Sequence, residues 1–226
     1  MKAMILAAGR GERMRPLTDL VPKPLLVVGG HSLIVWQIER LVEAGFTEII
    51  INISWLGDQI QESLGDGGKW GANLTYSREQ QALETAGGIR YALHLLDDGP
   101  FLVVNADVYT DYPYINLRQV VQRLVVGSDR AHLVLVENPP HHLEGDFGLE
   151  NGRITDVSPY FTFSGISVCH PDMFVGLMPG AKMPFAPLIF DAMRQKQVSG
   201  EFYSGLWVDV GTMNRLAELD EILKLD

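Results

Sequence analysis

The chain has 226 residues and a formal net charge of −10, with 46% hydrophobic and 20% charged residues. This acidic balance excludes a basic nucleic-acid-binding face, and a single cysteine, Cys169, excludes an intramolecular disulfide. No apolar run approaches the ~20 residues that span a bilayer, and no signal-peptide pattern precedes the first strand, so a cytoplasmic protein with no membrane partner is expected.

Short apolar runs alternate with amphipathic stretches, which predicts an α/β fold. Lys2–Ala7 reads as a buried strand. Leu33–Ala44 carries Leu33, Trp36, Gln37, Arg40 and Leu41 at helical spacing and ends near Gly45. Glu48–Ile53 is a second buried strand, Gly57–Leu64 a short helix stopped by Gly65, and Asn73–Ser77 a third strand. Thr85–Leu96 reads as a helix, with Thr85 as its N-cap. Phe101–Asn105 is a buried strand that runs into Ala106-Asp107.

Ile115–Val126 reads as a helix and Ala131–Glu137 as a strand. Antiparallel strands are expected from Asp146 to Pro171, turned at Asn151-Gly152. Pro184–Gln195 and Thr212–Lys224 are the last predicted helices. Cys169 lies in an apolar run and reads as a small buried hydrophobe. His141-His142 reads as part of a polar loop, and Trp36, Trp55 and Trp70 as packing residues. With no repeat or linker, one domain over residues 1–226 is expected. Its half at about 1–110 suits a nucleotide, and its half at about 111–226 suits a second substrate.

The first strand leads into Ala7-Ala8-Gly9-Arg10-Gly11-Glu12-Arg13, then Pro22-Lys23-Pro24. Glycines let backbone N–H groups approach an anion, and Arg13, Arg15 and Lys23 add positive charge in an acidic chain. The spacing is not that of a Walker A loop. It is not the dinucleotide fingerprint either, because Met14 stands where the third glycine belongs.

This block resembles that of the sugar-1-phosphate nucleotidylyltransferases, and the resemblance runs through most of the chain. It implies a Rossmann-like nucleotide-diphospho-sugar transferase fold: a mostly parallel central sheet, helices on both faces and a small antiparallel region. It also implies that Ala8, Gly9, Gly11 and Glu12 wrap a nucleoside triphosphate whose phosphates are held by Arg13 and Lys23. Asp107, just past a buried strand, and Asp209, in Trp207-Val-Asp209-Val-Gly211-Thr212, match the family's acids that hold Mg²⁺. A hard cation suits such carboxylates together with phosphates. Arg13, Lys23, Asp107 and Asp209 are then the catalytic residues. The attacking phosphate is already ionised, so no general base is needed.

By the same resemblance, Gln80 and Gly87 meet the nucleobase, with Glu84 standing where relatives carry glycine. Asn105, Asp146, Gly148, Glu150 and Ser164 face the sugar. The Glu-Lys-Pro of most relatives is absent, which leaves Arg153 or Arg194 to balance the sugar phosphate.

The segment Ser158–Ile166, the Asn105-Ala-Asp107 form of the acid motif and the short chain resemble one branch, the bacterial N-acetylmuramate α-1-phosphate uridylyltransferases of cell-wall recycling. That branch implies UTP as nucleotide, UDP-N-acetylmuramate and pyrophosphate as products, and a monomer. The alternatives are another hexose 1-phosphate (glucose, N-acetylglucosamine or mannose), a glycosyltransferase, or a non-catalytic nucleotide-sugar sensor. Asp107-Val-Tyr lacks the second acid of a glycosyltransferase Asp-x-Asp. A dehydrogenase is disfavoured by the absent third glycine.

Overall fold

The computed structural model describes residues 1–224. In chain order, β1 (Lys2–Leu6) leads through the glycine loop to a short hairpin, β2 (Val27–Val28) and β3 (His31–Ser32), and then to α1 (Leu33–Glu43). Next come β4 (Glu48–Ile53), α2 (Gly57–Leu64), β5 (Asn73–Arg78), α3 (Glu84–Ala92), β6 (Phe101–Asn105) and β7 (Val108–Thr110). They are followed by α4 (Leu117–Val126), β8 (Ala131–Val136), β9 (Phe147–Glu150), β10 (Arg153–Thr155) and β11 (Tyr160–Cys169). The last elements are α5 (Ala186–Arg194), β12 (Val198–Tyr203), β13 (Trp207–Asp209) and α6 (Met213–Leu223).

A nine-stranded mixed sheet runs β5-β4-β1-β6-β11-β8-β12-β10-β9. β5, β4, β1 and β6 are parallel, and β11 turns the direction between β6 and β8. The antiparallel region is therefore continuous with the parallel one. β9 also pairs with the start of β11 at Gly148↔Tyr160 and Phe147↔Phe161, so the pairings among β8 to β12 close on themselves. Separately, β7 and β13 form a two-stranded ribbon.

The strand period of two divides the core. In β1, Ala3 and Ile5 face a layer containing Ile34, Ile38 and Leu41 of α1 and Leu117, Val121 and Leu124 of α4. Met4 faces the opposite layer, with Ile89 of α3 and Ile189 of α5. Burial of each such Leu or Ile contributes roughly 1.5–3 kcal/mol. This arrangement of helices on both faces fixes the carboxyl ends of β1 and β6, where ligands bind in open sheets of this kind.

Two local expectations change. α3 begins at Glu84, with Leu83 rather than Thr85 at the N-cap, because the Leu83 N–H donates to the Glu79 side chain and the chain is already turning there. β12 is a strand the sequence pattern does not show. Ser199, Gly200 and Glu201 blur its alternation, and its stability comes from a six-residue parallel ladder with β8. The final helix is capped by Thr212, whose hydroxyl accepts from the Arg215 N–H at 3.3 Å, which leaves Asp209 free of a capping role.

Candidate active site

The loop after β1 is held in place by its own contacts. Gly11 adopts φ 67°, and a Cβ there would lie 3.0 Å from Thr18 and 3.2 Å from Lys23, so glycine is needed for both the turn and the packing. Thr18 donates its hydroxyl to the Gly11 carbonyl at 2.9 Å. Arg10 lies 3.8 Å over the Trp55 ring, and the Trp55 indole donates to the Thr18 carbonyl at 3.0 Å. Trp55 therefore braces the loop. Glu12 and Arg13 are exposed on a single 3₁₀ turn, while Lys23 is buried.

Two clefts meet at Asn105. One, about 290 Å³, is lined by Ala8, Gly9, Asn52, Glu79, Glu84, Thr85 and Lys182. The other, about 380 Å³, is lined by Arg13, Asp107, His141, His142, Trp207 and Asp209. Asn105 ends β6 opposite Leu6 of β1. Its amide fits against Gly165, where φ is +79° and a Cβ would stand 2.6 Å from the Asn105 nitrogen.

The β7–β13 ribbon brings the two acids together. Asp209 pairs with Val108, and the Val210 N–H donates to the Asp107 carbonyl at 2.8 Å. The Asp107 carboxylate pairs with the Lys23 ammonium, and the Asp209 carboxylate with the Arg215 guanidinium. His141 adds a third polar neighbour, its Nε2 lying 3.0 Å from Asp209 Oδ1. Two oxygen donors facing one cleft fit a hard divalent cation completed by phosphate oxygens and water. Among the described residues no cluster of three or more metal-ligating side chains occurs, so protein ligands alone would not close the sphere.

In the first cleft, the Asn52 side chain links the loop to the next strand. Its carbonyl accepts from the Ala7 N–H at 2.8 Å, and its amide donates to Glu79 at 2.7 Å. Burial raises the Glu79 pKa, against the lowering effect of its bonds to Asn52 and Leu83. Gln80 lies beside Gln81 and Tyr91 in a third opening that shares Glu79. Gly87 lies inside α3, and the close approach it permits is to the chain itself: its N–H donates to the Met183 carbonyl at 3.1 Å, and a Cβ would collide with the Ala181 carbonyl.

Beside the second cleft, Asp146 accepts from the Phe163 N–H at 2.8 Å and lies 3.1 Å from His142. Ser164 contributes backbone to the cleft wall, where its carbonyl accepts from the Trp207 indole. Its hydroxyl points inward and donates to Val134 at 2.7 Å. Gly148 is buried in the β9 ladder. Glu150 lies on a separate groove of about 530 Å³ with Arg153, Phe190 and Arg194.

Arg153 is bonded to Asp129 at 2.9 Å and Arg194 to Asp191 at 2.6 Å, so neither reaches the acid pair. Arg215 reaches Asp209 instead, and His141 and His142 line the cleft. Sequence reading passes over Arg215 and places the His pair, which directly follows Pro139-Pro140, in a polar loop. The loop is shaped by its own bonds: the His142 N–H donates to Pro139 at 2.9 Å, and the Asp146 N–H to Phe161 at 2.8 Å.

The N-acetylmuramate alpha-1-phosphate uridylyltransferase of Neisseria meningitidis serogroup B is 53% identical over 223 residues, covering 96% of each chain. The mannose-1-phosphate guanyltransferase of Saccharomyces cerevisiae is 42% identical over 226 residues, covering 93% of this chain and 61% of the yeast protein. A solved UDP-glucose pyrophosphorylase in complex with UDP-glucose superposes with a TM-score of 0.79 at 19% identity, covering 99% of this chain and 98% of that one, which shows the shared fold. The Nucleotidyl transferase family matches residues 2–156, more than half of the chain. By that match and by its full-length likeness to the Neisseria enzyme, the chain belongs to the nucleotidyl transferase family.

Proposed function

We propose that this chain joins UTP to N-acetylmuramate α-1-phosphate, giving UDP-N-acetylmuramate and pyrophosphate. The observation that carries the reading is 53% identity across 96% of both chains to an enzyme named for that reaction. The glycine loop and the acid pair supply the chemistry such a reaction needs. An oxygen of the sugar 1-phosphate attacks the α-phosphorus of UTP, the bond to the β-phosphate oxygen breaks, and pyrophosphate leaves.

The chain's task is to bring two anions together and to neutralise the leaving charge. In this reading the Ala8–Glu12 loop presents backbone N–H groups to the triphosphate, and Lys23 and Arg13 set positive charge against it. Asp107 and Asp209 would hold Mg²⁺, which supplies charge neutralisation between the reacting phosphates when bound. Gln80 is assigned to the base side, and Asn105, Asp146 and Ser164 to the acceptor side, whereas Gly87, Gly148 and Glu150 lie away from both clefts.

The residues at about 1–110 form the nucleotide half and those at about 111–226 the acceptor half of one domain. A monomer is the proposed oligomeric state. The site of action proposed is the cytoplasm, where UTP is available, and the role is cell-wall recycling. No helix among the described residues is long and apolar enough to cross a membrane.

The test is pyrophosphate release with Mg²⁺. It pairs UTP, dTTP, GTP, CTP and ATP with the 1-phosphates of N-acetylmuramate, N-acetylglucosamine, glucose and mannose. Release confined to UTP with N-acetylmuramate 1-phosphate supports the full reading. Release with another pair reassigns the substrates, and silence with every pair removes the reaction.

A further inference from the structure

Two guanidinium groups converge at Gly211. A Cβ built on this glycine would lie 2.8 Å from Arg13 Nη2 and in collision with Arg215 Nη2. Arg215 comes from α6 and is largely buried, its side chain 14% exposed. It also bonds to His141 Nε2 at 2.6 Å. Arg13 makes no side-chain hydrogen bond or ion pair among the described residues. Asp209 thus pairs with Arg215 and His141, and Arg13 approaches the same Gly211.

Like charges brought this close repel each other unless an anion lies between them. Once Asp209 is engaged by a metal ion, two planar forks remain with no carboxylate partner, Arg215 keeping its bond to His141. Guanidinium forks match phosphate oxygens bidentately. Their position is equally specific, because Arg13 follows directly on the Gly9–Gly11 loop and so lies at its distal end.

We propose that Arg215, oriented by His141, joins Arg13 in a clamp on the β- and γ-phosphates of the nucleotide and on the pyrophosphate that leaves. In the nucleotide-free chain Arg215 serves as counter-ion to Asp209, and on binding it turns to the phosphates. Gly211 is the residue that makes room for both forks. The inference rests on the nucleotidyl-transfer reading but is independent of which sugar is the acceptor.

The experiment measures binding of inorganic pyrophosphate, UTP and UMP by equilibrium dialysis, with and without Mg²⁺, to the full chain and to R215A, R215K and G211A. In G211A the backbone is undisturbed and only the arginine ends must move, so this variant keeps the test informative if R215A folds poorly. R215A and G211A should weaken pyrophosphate and UTP by about tenfold or more while UMP stays within about twofold. R215K should recover part of the loss. In the reverse reaction, KM for pyrophosphate should rise by a similar factor while KM for the nucleotide sugar holds.

Equal loss of UMP and UTP would make Arg215 a structural residue and overturn the proposal. Unchanged pyrophosphate affinity would overturn it too, as would a defect seen only in KM for the sugar 1-phosphate. The dialysis uses no sugar phosphate, so a different acceptor would refute the substrate assigned above without touching this result.

Discussion

Asn52 and Glu79 form a buried pair at the cleft beside the glycine loop, 2.7 Å apart, and through it the loop is tied to α3. One amide satisfies the Ala7 N–H and the Glu79 carboxylate together, and the other Glu79 oxygen accepts from Leu83 at 2.8 Å. Replacing Asn52 with leucine keeps the volume and removes both bonds. It should cost about 2 kcal/mol, the usual penalty for a buried polar group left without a partner. Urea unfolding of Asn52→Leu would check this, and a loss under about 0.5 kcal/mol would show that water replaces the amide.

Asp107→Asn and Asp209→Asn should each lower turnover by at least about a hundredfold, the scale of losing one charge-stabilising group. Both acids are partly exposed on a small ribbon, so melting temperatures should move little. Turnover within a few-fold of the parent would remove that acid from the proposed cation site.

His132 should make the protein acid-labile. Burial pushes its pKa from 6.5 to about 4, with Glu201 and Asp129 acting upward and Arg123 downward. Its Nδ1 lies 3.0 Å from the Ser199 hydroxyl, and its Nε2 has no partner. The folded pKa lies below the unfolded one, so the unfolded chain takes the proton first. The contribution is complete above pH 6.5 and is lost as pH falls through about 4. Its full size is about 3 kcal/mol. His132→Asn should flatten stability against pH in that window. An unchanged slope would show that other groups set the acid response.

Glu84 occupies left-handed backbone at φ 60°, a conformation that costs a side-chain-bearing residue about 1 kcal/mol or more. Its carboxylate has a single cation neighbour, Lys182 at 3.8 Å. Glu84→Gly should therefore raise thermal stability by an amount equivalent to about 1 kcal/mol. If the strain is kept for binding, the same variant should raise KM for UTP. Stability unchanged or reduced would show that the Glu84 side chain offsets its own strain.

The parallel half of the fold was legible because β1, β4 and β6 are continuous apolar runs, and such runs have few other uses. The glycine loop and both acids were legible because each sits at a strand end with flanking residues that admit few roles. β12 was not, since Ser199 and Glu201 interrupt its pattern and its pairing lies 67 residues back in sequence, at His132↔Ser199. Arg215 was hidden for a related reason. On a helix that also carries Glu218, Asp220 and Glu221, nothing local separates a solvated arginine from one that reaches Asp209 and His141. Arg153 and Arg194 looked equally suitable, and only the fold assigns them to Asp129 and Asp191.

The ribbon joining Asp107 to Asp209 also bears on how the protein is made. A nascent chain emerging from the ribosome acquires its glycine loop and first acid early. The second acid arrives only after α5 and β12 have been synthesised. Until β13 docks on β7, such a chain lacks the cleft wall that Trp207 and Asp209 supply. Under the function proposed above, the order of the sequence alone thereby withholds the reaction from unfinished molecules.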